Sequence, residues 1–352
     1  MTLRRHLIIL TGALGALSLG AVAAAPAAVL NGLSALDSRR RAAGLRYGPE
    51  SRQQFDLYQP AGNAPAAGWP VLVFFYGGSW RSGERADYRF VGEALANQGM
   101  LVMVADYRLY PEVAYPVFLQ DAAAAVAHAL DQASAWGGDP RRVFVMGHSA
   151  GAYNAAMVAL DERWLAALGK KPAALAGWIG LAGPYNFLPI KTLAVQPVFG
   201  HPNVAPDTQP VNHAAGSHLP ALLLAAAQDD LVNPRRNSET LAGLLQAAGA
   251  PVQWQAFDGV GHISLLAALA WPLRALAPVL PAVRDFVLGP AGPTPSGTGG
   301  RPYNLRPCQP APLEIRVERL ACRLQHCWVG VPAPGSGASP PPAVVLVLPS
   351  QK

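Results

Sequence analysis

Near the middle of the chain, Gly147-His148-Ser149-Ala150-Gly151 sets a serine between two glycines, directly after the apolar run Val143 to Met146 and directly before a helix-forming stretch. A strand, a sharp turn and a helix are the context a G-x-S-x-G nucleophile requires. The serine backbone is strained there, and only residues without bulk let strand and helix approach so closely. A helix beginning behind the serine also favours developing negative charge. The chemistry implied is attack on an acyl carbon. A bare hydroxyl is a weak nucleophile, so a base and an acid that orients it should follow, in the chain order serine, acid, histidine. His262 ends Gly259-Val260-Gly261-His262, just after the run Val252 to Phe257, and no other histidine lies between the candidate acids and the C-terminal region. Those acids are Asp229 and Asp230 in Gln228-Asp229-Asp230-Leu231-Val232, after the run Leu222 to Ala226. An alkoxide would also need N–H donors. Ala150, the residue after the serine, offers one; Gly78 and Ser79 in Tyr76-Gly77-Gly78-Ser79-Trp80, after the run Val71 to Phe75, offer the others.

These residues need a scaffold that brings distant loops to one edge. A segment with Tyr47-Gly48 and Phe55-Asp56-Leu57-Tyr58 alternates like an early strand, and apolar runs of strand length follow at Val71 to Phe75, Leu101 to Ala105, Val143 to Met146, Trp178 to Leu181, Leu222 to Ala226 and Val252 to Phe257. Helical patterns separate most of them, at Phe90 to Gln98, Val117 to Ser134, Ala152 to Leu160 and Asn237 to Ala248, with a long one at Leu265 to Val287. Strands apolar throughout, alternating with helices, predict an α/β fold: a mostly parallel central sheet covered by helices on both faces. The Pro-rich insertion Lys191 to Leu219 reads as a cap over the site, with Phe187, Phe199 and Trp178 as candidate walls of an acyl pocket.

The chain has 352 residues, 51% hydrophobic and 14% charged, enough for one large core with appendages. Its net charge of +6 comes from the ends: net +2 in the first thirty residues and net +4 after Gly289. With the centre near neutral, a nucleic-acid partner is set aside. Arg4 and Arg5, the apolar run Leu7 to about Ala25 and the small-residue box Ala21-Val22-Ala23 predict an export signal over 1–25, so a periplasmic or secreted protein. If the run is not cleaved it becomes an N-terminal membrane anchor, the one membrane contact expected. Residues 26–43 read as a connection, 44–288 as the catalytic domain and 289–352 as a Pro- and Gly-rich tail, expected to be mostly disordered. All three cysteines, Cys308, Cys322 and Cys327, fall in that tail. Two could pair in an oxidising compartment, and Cys322 and Cys327 about His326 do not make a zinc pattern. His201, His213 and His218 lack an accompanying carboxylate pattern, so neither metal nor cofactor is expected. Nothing in the pattern specifies an oligomeric state.

Residues Gly44 to Leu288 resemble the carboxylesterase branch of the α/β-hydrolase superfamily, near bacterial esterases similar to feruloyl esterases, isoprenylcysteine methylesterases and kynurenine formamidases. The likeness rests on Tyr76 to Trp80, on Ala105-Asp106-Tyr107-Arg108-Leu109, on Gly147 to Gly151, on Ala182-Gly183-Pro184-Tyr185 and on Gly261-His262. It implies Asp229 as the acid, three residues before Val232 and five before Pro234, with Asp230 a solvated neighbour or a helix cap. It implies that Asp106-Tyr107-Arg108 brace the oxyanion loop. Where the family usually has histidine this chain has Tyr76, a change that bears on substrate range.

The expected function is a serine hydrolase acting on a small-molecule carboxylic ester through an acyl-enzyme on Ser149, with His262 as base and Asp229 orienting it. The alternatives are a formamidase or other amidase of the same fold, against which an export signal argues, and a cell-envelope binding protein on a hydrolase scaffold. The last would need a triad position lost, and none is lost in the sequence.

Overall fold

The computed structural model of the chain describes residues 30–32, 40–271 and 273–289. The apolar N-terminal segment, most of the 26–43 connection, and the tail with its cysteines and the runs Leu313 to Leu320 and Val344 to Leu348 lie outside the described residues.

Eight strands form one sheet: β1 (Arg40–Arg46), β2 (Gln54–Gln59), β3 (Trp69–Phe75), β4 (Leu101–Ala105), β5 (Gly138–His148), β6 (Gly177–Leu181), β7 (Ala221–Ala226) and β8 (Val252–Phe257). Their spatial order is β1-β2-β4-β3-β5-β6-β7-β8. The pairs β1/β2 and β2/β4 are antiparallel and the rest parallel. Helices α1 (Arg89–Ala96), α2 (Val117–Gln132), α3 (Ala150–Leu160), α4 (Glu162–Ala166), α5 (Thr240–Ala247), α6 (His262–Ala267) and α7 (Val279–Leu288) connect and cover it. In β4, β6 and β7 every residue is buried, which requires cover on both faces and explains the unbroken apolar runs. Strand β8, at the sheet's edge, is instead half-buried or exposed at every position until Phe257.

The parallel register decides where chemistry can happen. Phe75 lies beside Ala105 and Gly147, His148 beside Leu181, Leu181 beside Leu224, and Ala226 beside Phe257. The carboxyl ends of β3, β5, β6, β7 and β8 therefore share one edge. Every loop carrying a candidate residue leaves from that edge, the customary place for ligands in open α/β sheets.

Two elements differ from the sequence pattern. Strand β1 begins at Arg40, ahead of Gly44, the expected start of the catalytic domain, and is not among the strands read from the sequence. Its arginines and small residues carry no apolar alternation because it is an edge strand held by pairing with β2, exposed from Ala42 to Arg46. The single helix expected over Leu265 to Val287 is broken into α6, a short 3-10 turn at Leu273–Ala275, and α7. Pro278 at the N-cap of α7 has no N–H, and its ring would clash with the carbonyl four residues back, so a continuous helix cannot pass. Among the described residues no helix is long and apolar enough to cross a membrane.

Candidate active site

Ser149 stands between β5 and α3 with φ 54° and ψ −122°, a backbone conformation that residues with side chains seldom adopt. The flanking glycines are sterically required. A Cβ on Gly151 would lie 2.1 Å from the carbonyl oxygen of Phe75 in β3, and one on Gly147 would lie 2.1 Å from that of Gly151. Helix, elbow and neighbouring strand are thus in backbone contact, and Ser149 is held at the carboxyl end of β5.

His262 does not sit on a loop as its glycine-rich approach suggests; it is the first residue of α6. The helix starts there because the Ser264 hydroxyl accepts the Gly261 N–H at 2.8 Å, closing the first turn. The imidazole Nε2 is 2.9 Å from Ser149 Oγ and Nδ1 is 2.7 Å from Asp229 Oδ2. The other carboxylate oxygen, Oδ1, accepts the N–H groups of Leu231 and Val232 at 2.9 and 2.8 Å. Burial alone would raise the Asp229 carboxyl. The hydrogen bonds from His262 and from the Val232 and Leu231 N–H groups outweigh it, and the group ionises below its ordinary range. An ionised carboxylate only accepts, so Nδ1 of His262 carries the proton and Nε2 is left to accept from Ser149. Asp230, one residue on, is exposed. The turn at 235–239 is capped not by it but by Asn233 Oδ1, which accepts the Arg236 N–H at 2.9 Å.

Close to Ser149 runs the loop Tyr76 to Trp80. Gly78, Ser79 and Trp80 all have positive φ, at 119°, 54° and 58°. Arg81 and Ser82 donate their N–H groups to the Gly78 carbonyl, which holds the turn closed. Gly78 and Ser79 lie in this loop and Ala150 opens α3, the positions from which N–H donors to a tetrahedral oxyanion are expected. Tyr76 anchors the loop's start. Its phenol donates to Asp106 Oδ1 at 2.8 Å and accepts from Arg52 at 2.8 Å, and its carbonyl accepts the Tyr107 hydroxyl at 2.8 Å. Asp106 also pairs with Arg85. Asp106 and Tyr107 thus brace the loop, whereas Arg108 turns to α2 and pairs with Asp121 at 2.8 Å. Burial, then the Asp106 charge, holds the Tyr76 phenol well above its ordinary pKa, so it donates and does not ionise.

His148 enters the sequence pattern only as a motif residue, although a histidine ending a buried strand needs a partner. Its Nε2–H donates to the main-chain carbonyl of His262 at 3.0 Å, and the two rings lie 4.9 Å apart. Burial and then the neighbouring His262 push it down to about 3, so it is neutral. Trp178, expected as a pocket wall, is buried in β6 against Tyr185 and belongs to the core. Phe187 and Phe199 do gather at the Tyr76 to Trp80 loop, in an aromatic cluster with Trp80, Phe118 and Tyr153. The insertion that carries Phe199 packs as short 3-10 turns on α3 and α5, and the Thr208 carbonyl accepts the Tyr153 hydroxyl at 2.7 Å. Among the described residues His201, His213 and His218 are not gathered with one another or with acids into a group of three or more ligands.

Residues 55–245 match the BD-FAE family. The chain is 30% identical over 286 residues to the Oryza sativa subsp. japonica protein named "Probable isoprenylcysteine alpha-carbonyl methylesterase ICME", covering 74% of this chain and 67% of that one. To the isoprenylcysteine alpha-carbonyl methylesterase of Arabidopsis thaliana it is 30% identical over 248 residues, covering 65% of this chain and 57% of the relative. Among solved structures, the apo form of Thermogutta terrifontis esterase 2 superimposes with a TM-score of 0.58 at 23% identity, covering 73% of this chain and 97% of that one, a likeness of fold.

Proposed function

We propose, from the premise that this chain belongs to the BD-FAE family in the carboxylesterase branch of the α/β-hydrolase superfamily, that it hydrolyses carboxylic esters through an acyl-enzyme on Ser149. The observation that carries the proposal is the continuous chain Ser149 Oγ, His262 Nε2, His262 Nδ1, Asp229 Oδ2, with links of 2.9 and 2.7 Å. Ser149 Oγ attacks the ester carbon as Nε2 takes its proton. Asp229 stabilises the imidazolium and keeps it aimed, and the N–H groups of Gly78, Ser79 and Ala150 receive the alkoxide. Collapse expels the alcohol, protonated by His262. Water, deprotonated by the same nitrogen, then attacks the acyl carbon, and the carboxylic acid leaves with Ser149 restored. The relatives named as methylesterases support an ester with a small alcohol.

Turnover of a nitrophenyl ester series of rising acyl length, run beside an N-formyl amide, tests the reaction class; hydrolysis confined to the amide would replace the ester reading with an amidase. Ser149→Ala should abolish turnover with the melting temperature unchanged, and a fluorophosphonate should label the unaltered protein once and the variant not at all. A variant that keeps near-full turnover refutes the nucleophile assignment and would suit the binding-protein alternative no better.

We also propose that the protein is exported to the periplasm or beyond. Arg4 and Arg5 before the apolar run, with the small-residue box at its end, support this. N-terminal sequencing of protein from fractionated cells checks it: a mature start near residue 25 supports cleavage, an intact Met1 in the membrane fraction supports an anchor, and an intact Met1 in the cytosol refutes export.

A further inference from the structure

Two adjacent residues with side chains, Ser79 and Trp80, hold left-handed backbone in the loop that presents the oxyanion donors. Such a conformation persists only where its surroundings over-determine it. The surroundings here act on Trp80. Its ring is buried, edge-on to Tyr153 and Phe199 at centroid distances of 5.1 and 4.9 Å, and its indole N–H donates to Asn154 Oδ1 at 3.0 Å. Asn154 is fully buried on α3, the helix that begins immediately after Ser149, and its Nδ2 has no hydrogen-bond partner among the described residues. A buried half-satisfied amide is less favourable for folding than an apolar side chain of similar volume. Among the described residues, the one side-chain hydrogen bond that the amide makes is with the oxyanion loop.

We propose that Asn154 is a positioning residue: by fixing the Trp80 indole it sets the N–H groups of Gly78 and Ser79 at the correct height relative to Ser149 Oγ, on the same rigid helix. The inference rests on the reading of Ser149 as nucleophile and of this loop as oxyanion hole. Asn154 acts through Trp80 and does not touch substrate. The link spans the two halves of a machinery whose parts must agree to within about 0.5 Å, and it bypasses the chain between them.

The test uses the full chain with Asn154→Leu and Trp80→Phe, singly and together. Each single variant should lower kcat by about ten- to a hundredfold with KM within about twofold, the pattern of an interaction made in the transition state. Affinity for a phenylboronic acid, whose tetrahedral adduct places an oxygen in the hole, should fall by a similar factor, while the melting temperature of Asn154→Leu stays level or rises. The double variant should be no worse than the poorer single one. Multiplicative losses in the double variant, a change confined to KM, or a folded Asn154→Leu with full kcat would each overturn the proposal. If Asn154→Leu does not fold, Trp80→Phe, which keeps an aromatic ring and removes the donor, decides alone. A failure of the unaltered protein to hydrolyse ester or take the fluorophosphonate would instead bring down the reading of Ser149, and the positioning role with it.

Discussion

Replacing Asp229 by asparagine should leave the fold intact and nearly silence the enzyme, and the reason can be followed atom by atom. Asp229 Oδ1 accepts two backbone N–H groups, from Leu231 and Val232. The asparagine carbonyl would stay on those donors, because turning it away would leave both unpaired. Its amide nitrogen is then delivered to His262 Nδ1, 2.7 Å away in the native pair, and presents a donor where the carboxylate accepted. The imidazole must answer by accepting at Nδ1, which moves its proton to Nε2. That nitrogen then donates toward Ser149 Oγ and cannot take the hydroxyl proton. The imidazolium of the transition state also loses its counter-charge. In a serine protease the same inverted tautomer lowers kcat by about ten-thousandfold, equivalent to about 5.5 kcal/mol of barrier, and a loss of that order is expected here. Asp230, exposed and outside this chain of contacts, provides the internal control. Steady-state hydrolysis of a short nitrophenyl ester by Asp229→Asn and Asp230→Asn, each checked by near-UV circular dichroism, decides the matter. An Asp229→Asn enzyme within tenfold of the unaltered one, or an Asp230→Asn enzyme crippled as badly, would refute the tautomer argument and the assignment of the acid.

Gly151→Ala should destabilise the fold by at least about 3 kcal/mol, or prevent folding, because the new methyl would meet backbone of β3 that cannot yield; urea unfolding measures it, and a neutral result would deny the close approach. His148 is neutral when folded down to about pH 3 but protonates near its ordinary 6.5 when unfolded, so the unfolded chain binds more protons between those values and stability falls as pH drops through them. By pH 5 this costs roughly 2 kcal/mol, and His148→Gln should lose that much less stability than the unaltered protein between pH 7 and pH 5. Equal losses in urea titrations at the two pH values would refute the buried neutral state. A chain ending at Leu288 should keep the melting temperature and ester turnover of the full-length protein, because the sequence beyond it carries few periodic apolar residues; a large fall in either would move the domain boundary.

Much of the site is legible in the chain because its signals are local. Val143 to Met146 followed by Gly-x-Ser-x-Gly encodes strand, elbow and helix within one short stretch, and the apolar runs before Tyr76, Asp229 and His262 mark strand ends. The adjacent aspartates show the limit. Residue type alone leaves them equal, and family spacing favours Asp229; what separates them is a turn in which Leu231 and Val232 fold their N–H groups back onto one carboxylate, a contact made by backbone shape. Strand β1 escapes the apolar pattern because this edge strand of arginines and small residues joins the sheet by backbone pairing with β2. The break before α7 is encoded in Pro278 and masked by the apolar periodicity on either side. Trp178 is ambiguous in sequence because a strand buried on both faces gives no sign of which face meets the site. The pairing of Trp80 with Asn154 joins residues far apart in sequence, and no pattern within either segment announces it.

The position of the base at the sheet's margin has a consequence for how the protein fails. His262 follows β8, which among the described strands is bonded only to β7 and stays open to solvent along most of its length until Phe257. Ser149 and its helix stem from β5, in the middle of the sheet. Fraying spreads from edges inward, so warming or mild denaturant should release the histidine while nucleophile, oxyanion loop and core still stand. Activity should then fall over a range in which most of the hydrogen-bonded structure survives, and return on cooling. The hydrogen bond from His148 to the His262 carbonyl ties the elbow of the central strand to the peripheral helix and opposes that release.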